Sequence, residues 1–282
     1  FDDAITLERL PSGNFLLGVH IADVSHYVRP GSELDREARE RGTSVYFPER
    51  AVHMFPAVLS TGLCSLNPNV DRLVQSCLME INERGKVVRH ELHDGMIHSD
   101  ARMTYKDVNA ILAEGDVTVR ARYAELVPVF ELMHKLFEIL SRRRRRRGSI
   151  DFDLQEPEFV LSETGSVVDI IAAKRNVAHC IIEEFMLIAN EVVATHLRDH
   201  DIPTLYRVHD SPDVRKVAEF KDFLTTFGHS LAAPKGNATP KHFQQLAKRI
   251  KGTPEEKPIA ILMLRTMQKA RYDSTADGHF GL

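Results

Sequence analysis

Apolar residues run almost without a break from Phe15 through Val24: Phe15, Leu16, Leu17, Val19, Ile21, Ala22 and Val24. Such a run predicts a strand over 14–29 that is covered on both faces rather than on one. Pro30-Gly31 then marks a turn. Ser32 and Asp35 have the spacing of a capping box, with Asp in place of the usual Glu or Gln. They predict a helix that reaches Arg41, with Gly42 at the position just past its end. Segments 73–81 and 87–97 read as two strands joined through 82–85, where Asn82 and Gly85 supply turn chemistry.

From Thr104 the period lengthens. Leu126, Phe130, Met133, Phe137 and Leu140 recur every three or four residues and form one apolar stripe, which Pro128 interrupts near its start. Six consecutive arginines at 142–147 close that helix, where the macrodipole favours positive charge, and Gly148 ends it. An extended segment over 149–159 follows, then a hairpin around Gly165. A second amphipathic helix covers 176–198, with Ile182, Phe185, Met186, Ala189 and Val193 inward. Further helices are predicted at 212–227, 240–251 and 255–272, with the stretch at 234–236 as a loop. Strands early and helices late give an α+β fold, a mixed β-sheet packed with helices and a helix-rich C-terminal half, in one domain without internal repeats.

Composition changes this picture little. A hydrophobic fraction of 43% and a charged fraction of 27% are ordinary for a globular chain of 282 residues. No apolar run approaches the length of a membrane span. Three scattered cysteines, Cys64, Cys77 and Cys180, have neither metal-ligand spacing nor an even count for a disulfide framework, which points to a reducing, cytoplasmic compartment. The net charge of −3 does not favour nucleic-acid binding. Net charge averages over patches, however, and the arginine run is one.

The chemistry-bearing residues are sparse. Asp2 and Asp3 are adjacent carboxylates, which on their own read as a solvated chain start. Glu183 and Glu184 sit mid-helix among apolar residues; one exposed carboxylate and one structural partner for Lys174 or Arg175 is the plain reading. Tyr46, Tyr105 and Phe152 read first as packing aromatics, although Phe152 lies between Asp151 and Asp153. His20 and Asp23 fall three apart on a strand, so they face opposite ways. There is no Gly-rich phosphate loop, nucleophile elbow or Cys/His pair.

Several segments, taken in order, carry a resemblance. They are Phe1-Asp2-Asp3-Ala4; His20-Ile21-Ala22-Asp23-Val24-Ser25; Leu34-Asp35-Arg36-Glu37-Ala38; Arg41-Gly42-Thr43-Ser44-Val45-Tyr46-Phe47-Pro48; Leu63-Cys64-Ser65-Leu66-Asn67-Pro68; Ile182-Glu183-Glu184-Phe185-Met186-Leu187-Ile188-Ala189-Asn190; and Gly278-His279-Phe280-Gly281-Leu282. Together they resemble the catalytic domain of the ribonuclease II/ribonuclease R family of exoribonucleases. The resemblance implies a partial catalytic domain over 1–282, with the flanking RNA-binding domains and both ends of that domain outside it. Two further aspartates would lie upstream, and a charge-stabilising arginine in a Ser-Pro-Ile-Arg segment would lie downstream.

The implied activity is Mg²⁺-dependent, processive 3′-to-5′ hydrolysis of single-stranded RNA to nucleoside 5′-monophosphates. Asp2 and Asp3 would be catalytic metal ligands. Tyr46 and Phe152 would stack on the terminal bases, and Tyr105 would line the RNA channel. Glu183 would contact the ribose, a means of choosing RNA over DNA through the 2′-hydroxyl. The alternative is a fragment of that family that binds RNA or a protein partner without catalysis.

Overall fold

The computed structural model describes residues 1–48, 50–150, 157–162, 164–173, 175–234 and 238–281. Phe152 lies outside the described residues. The chain forms two compact units, one of residues 1–139 with 155–192, the other of 140–154 with 193–282.

The first unit is built on a four-stranded sheet. Its strands are β1 (Asp3–Arg9) and β2 (Phe15–Ala22), then, after α1 (Val24–Tyr27), α2 (Glu33–Arg41), and the two-residue strands β3 (Val45–Tyr46) and β4 (Ala51–Val52), the long pair β5 (Asp71–Ile81) and β6 (Val87–His98). The order is β1-β2-β5-β6 and every neighbour is antiparallel. Among the described residues parallel contacts occur only as the isolated bridges Pro68–Ser99 and His209–His279, so the sheet is antiparallel and not the mixed one expected. The α+β class stands.

β2 is covered on both faces, as its apolar run predicts, but it ends at Ala22 and not at 29, because Asp23 caps α1 by accepting from the His26 N–H. Phe15, Leu17 and Val19 are buried on one side, Gly18, His20 and Ala22 on the other. Ala22 and Val74, paired across β2 and β5, join Leu59, Cys64 and Leu66 in one core cluster. β1 is a strand by pairing rather than by pattern. Only Leu7 of its seven residues is buried, so its sequence carries no alternation strong enough to announce it.

α2 carries half of the expected capping box. Ser32 Oγ accepts from the Asp35 N–H at 3.2 Å, but the Asp35 carboxylate accepts from the Gly31 N–H at 2.8 Å instead of reaching back to Ser32. Asp is one methylene shorter than Glu. Gly42 ends the helix at φ 71°, where a side chain would be strained.

The rest of the first unit holds α3 (Tyr105–Asn109), α4 (Val117–Arg122), the start of α5 (Val127–Arg147), the hairpin β7 (Pro157–Leu161) with β8 (Val167–Ala172), and most of α6 (Val177–Asp199). Pro128 does not interrupt α5. It falls in the first turn, where backbone N–H groups lack helical partners anyway. The hairpin is apolar and uncovered: Phe159, Val160, Val167, Val168, Ile170 and Ile171 are all exposed. Of the six arginines, Arg144 is buried while Arg142, Arg145, Arg146 and Arg147 are exposed, so the run does not present one continuous face.

The second unit packs α7 (Val214–Thr226), α8 (Pro240–Ile250) and α9 (Glu256–Thr266) around Phe220, Leu224, Phe243, Leu246, Ile250, Ile259 and Met263. The helix predicted over 255–272 ends six residues early. Arg271–Asp273 is β10, which pairs with β9 (Tyr206–Val208), and this non-local pairing outweighs local helix preference.

One buried polar group sits within the first unit's sheet. His20 is 6% exposed. Its Nε2 lies 3.0 Å from Thr6 Oγ1 and its Nδ1 lies 2.8 Å from Ser76 Oγ. Both hydroxyls rotate to match either tautomer. Gly18 makes room for this chain of contacts, because a Cβ there would collide with Thr6 and His20.

Burial holds the imidazole below its ordinary pKa of 6.5. The unfolded chain therefore takes up a proton at a pH where the folded one does not. Stability is expected to fall as pH drops through 6.5. Urea unfolding at pH 7.5 and 5.5 checks this, and His20→Gln is expected to show a smaller difference between the two.

Candidate active site

Residues 1–3 are fixed by their backbone. The Ala22 N–H donates to Asp2 O at 2.9 Å and the Leu66 N–H donates to Phe1 O at 2.8 Å. The Arg102 guanidinium lies over the Phe1 ring at 4.2 Å. Asp3 opens β1 opposite Ile21. Asp2 is exposed and Asp3 is half-buried. Burial first, then the negative charge of Asp2, pushes the Asp3 carboxyl above its usual range. A site that crowds two carboxylates and partly dehydrates one of them favours a cation.

Tyr105 begins α3, behind a Thr104 cap that accepts from the Asp107 N–H at 3.0 Å. Its hydroxyl is raised above the ordinary phenol value, by burial and then by the charge of Asp3, so it stays protonated and able to donate. Its ring stacks on His179, with centroids 3.9 Å apart and planes 24° from parallel.

His179 lies in the first turn of α6. Asn176 caps that helix, its Oδ1 accepting from the N–H groups of Ala178 (3.1 Å) and His179 (3.3 Å). One turn further along α6, Glu183 is exposed and its carboxylate accepts from Arg175 Nη2 at 2.6 Å. Glu184, its neighbour, is 5% exposed. One glutamate is exposed and the other buried, but it is the exposed Glu183 that pairs with Arg175, contrary to the plain reading of the sequence.

The sequence-predicted residues do not all converge. The charge of Asp3 is felt at the Tyr105 hydroxyl, and Tyr105 meets α6, the helix that carries Glu183, through His179, which sequence reasoning missed. A lone histidine carries no signal until its ring is seen against Tyr105. Tyr46 stands on the β3–β4 ribbon and is 75% exposed, which removes the core-packing reading for it. Next to it Phe47 is 51% exposed, under the Arg50 guanidinium at 5.6 Å. Among the described residues no three Asp, Glu, His or Cys side chains gather as a metal cage. Asp2 and Asp3 remain as two oxygen donors, a number that Mg²⁺ accepts when water completes its shell.

The RNB domain matches residues 1–282. The chain belongs to the RNB domain family. It is 45% identical over 281 residues to Ribonuclease R 1 of Lactococcus lactis, covering all of this chain and 34% of that protein. It is 44% identical to Ribonuclease R of Aquifex aeolicus, again over all of this chain and 40% of that protein. The RNB chain thus spans about a third to two-fifths of the curated relatives it matches. Its fold is similar to that of Mycoplasma genitalium RNase R in complex with ribose-methylated single-stranded RNA, with a TM-score of 0.91 and 31% identity over 100% of this chain and 44% of that one.

Proposed function

We propose that this RNB domain is the hydrolytic part of a cytoplasmic exoribonuclease that removes nucleotides processively from the 3′ end of single-stranded RNA and releases nucleoside 5′-monophosphates. The observation that carries the reading is the linked set of Asp3, Tyr105 and Glu183: a crowded acidic pair, an exposed aromatic within reach of its charge, and an exposed carboxylate one helical turn from that aromatic's stacking partner. The RNA complex of the Mycoplasma genitalium relative supports RNA as the partner.

Asp2 and Asp3 are the side chains that would hold Mg²⁺, which when bound supplies charge stabilisation at the scissile phosphate and an activated water. Tyr105 keeps its proton and offers a donor beside the acidic pair. Glu183 accepts from a ribose 2′-hydroxyl, which DNA lacks. Tyr46 and Phe152 grip base faces without regard to sequence. The test is incubation of the full-length protein with a 5′-labelled single-stranded oligoribonucleotide and Mg²⁺. A descending ladder with mononucleotide release is expected; internal cleavage, or equal loss of a DNA strand, overturns the reading.

A second reading is RNA binding without hydrolysis by residues 1–282 in isolation, since two carboxylates leave most of a Mg²⁺ shell to water and hold the ion weakly. This chain alone is expected to bind the oligomer and release almost no mononucleotide.

Tyr46→Ala is expected to weaken RNA binding by about 1–3 kcal/mol, the range for one base–aromatic stack. Because the ring is 75% exposed, the melting temperature is expected to stay within a degree or two, roughly the effect of a surface substitution. Tyr46→Phe is expected to be near wild type, since stacking uses the ring face. Titration of a fluorescent oligomer alongside thermal melts checks all three statements.

A further inference from the structure

We propose that His179 is the positioning residue for Tyr105: its imidazole face is the platform that fixes the tyrosine ring where RNA meets the acidic pair and Glu183. The inference rests on the exoribonuclease reading above and concerns how that site is assembled.

Tyr105 needs such a platform. It is the first residue of its helix, which runs on as a π-helical turn to Glu114, and it is 46% exposed, so surrounding packing does not fix its ring. The contact with His179 is face to face, at 3.9 Å and 24°. Asn176 ties the two together. Its Nδ2 donates to the Tyr105 carbonyl at 3.3 Å, while its Oδ1 lies 2.8 Å from His179 Nδ1 and caps the helix that carries His179. His179 and Glu183 are four apart on α6, hence on one face of it. Arg175, just ahead of the cap, holds the Glu183 carboxylate. Platform and ribose-reading carboxylate therefore stand on the same two turns of one helix. Burial, and then the charge of Arg175, keeps the imidazole below its ordinary pKa, so at neutral pH it presents an uncharged face to the ring.

A positioning role makes a specific demand: losing the platform must cost what losing the ring costs, and no more. The test uses the full-length protein and a single-stranded oligoribonucleotide with Mg²⁺, reading kcat/KM, the length of the shortest product and the melting temperature. Tyr105→Ala and His179→Ala are each expected to lower kcat/KM by about fivefold to tenfold, the size of one aromatic pair, and to lengthen the shortest product alike. The double variant is expected to be no worse than either single one. His179→Phe, which keeps a flat face, is expected to stay within about twofold of wild type, whereas His179→Leu, of similar bulk without that face, is expected to match His179→Ala.

Losses that multiply in the double variant, a Leu variant as active as the Phe variant, or an unaffected His179→Ala overturns the proposal. A wild-type protein that releases no mononucleotide removes the exoribonuclease reading together with it, whereas an active wild type with multiplying losses removes the platform alone.

Discussion

Asp3→Asn in the full-length protein is expected to keep RNA bound and to lower its hydrolysis by a hundredfold or more, roughly the loss of one strong interaction with developing charge. An amide is a poor ligand for a hard cation, and the residues proposed to stack on bases and read the ribose are elsewhere. The variant also separates function from folding. In the native chain the Asp3 carboxyl is pushed up by burial and by Asp2, so ionising it at neutral pH works against the folded state. A group raised in this way contributes stability only while it holds its proton, and the contribution fades as pH rises through the ordinary carboxylate range. Asparagine carries no charge to ionise. With a chelator present, Asp3→Asn is therefore expected to melt at or above the wild-type temperature while turnover collapses. Single-turnover release of mononucleotides, RNA titration and thermal melts are the measurements. Unchanged turnover removes Asp3 from the chemistry, and a large fall in melting temperature returns it to a structural role.

The largest stability effect is expected at Phe15. Its ring is 0% exposed at the start of β2, a central strand of the sheet, with the Arg9 guanidinium over it at 4.2 Å. Phe15→Ala removes the buried ring, leaves a cavity between fixed strands and strips the guanidinium of its aromatic face. The expected cost is about 3–5 kcal/mol. Ile170→Ala, on the exposed hairpin, is expected to change stability by less than about 0.5 kcal/mol. The chain contains no Trp, so unfolding is best followed by circular dichroism or calorimetry. Comparable effects at the two positions contradict the burial assignment.

Much of this fold was legible because its strongest signals are local. The unbroken apolar run of β2 reports a strand with two covered faces, and Ser32 and Gly42 bracket α2 by side-chain and backbone chemistry within four residues of each end. What escaped was non-local. β1 has one buried residue in seven and is recognisable only beside β2, while β10 overrides a helical pattern because β9, more than sixty residues earlier in the chain, pairs with it. The candidate site divides the same way. Asp2, Asp3, Tyr46, Tyr105 and Glu183 are candidates that the resemblance supplied, whereas the part proposed for His179 depends on a ring brought from α6 to α3, which no spacing along the chain records.

The β7–β8 hairpin has its own consequence for solution behaviour. With apolar side chains exposed along both strands, it is held mainly by its own ladder of backbone hydrogen bonds, and an isolated pair of strands is marginal in water. Its amides are expected to exchange with deuterium through local opening long before those of β2 and β5, whose exchange requires the sheet itself to come apart. In a concentrated sample the same unpaired strand edges offer a template to other molecules, so this hairpin is where self-association of the purified chain is expected to begin.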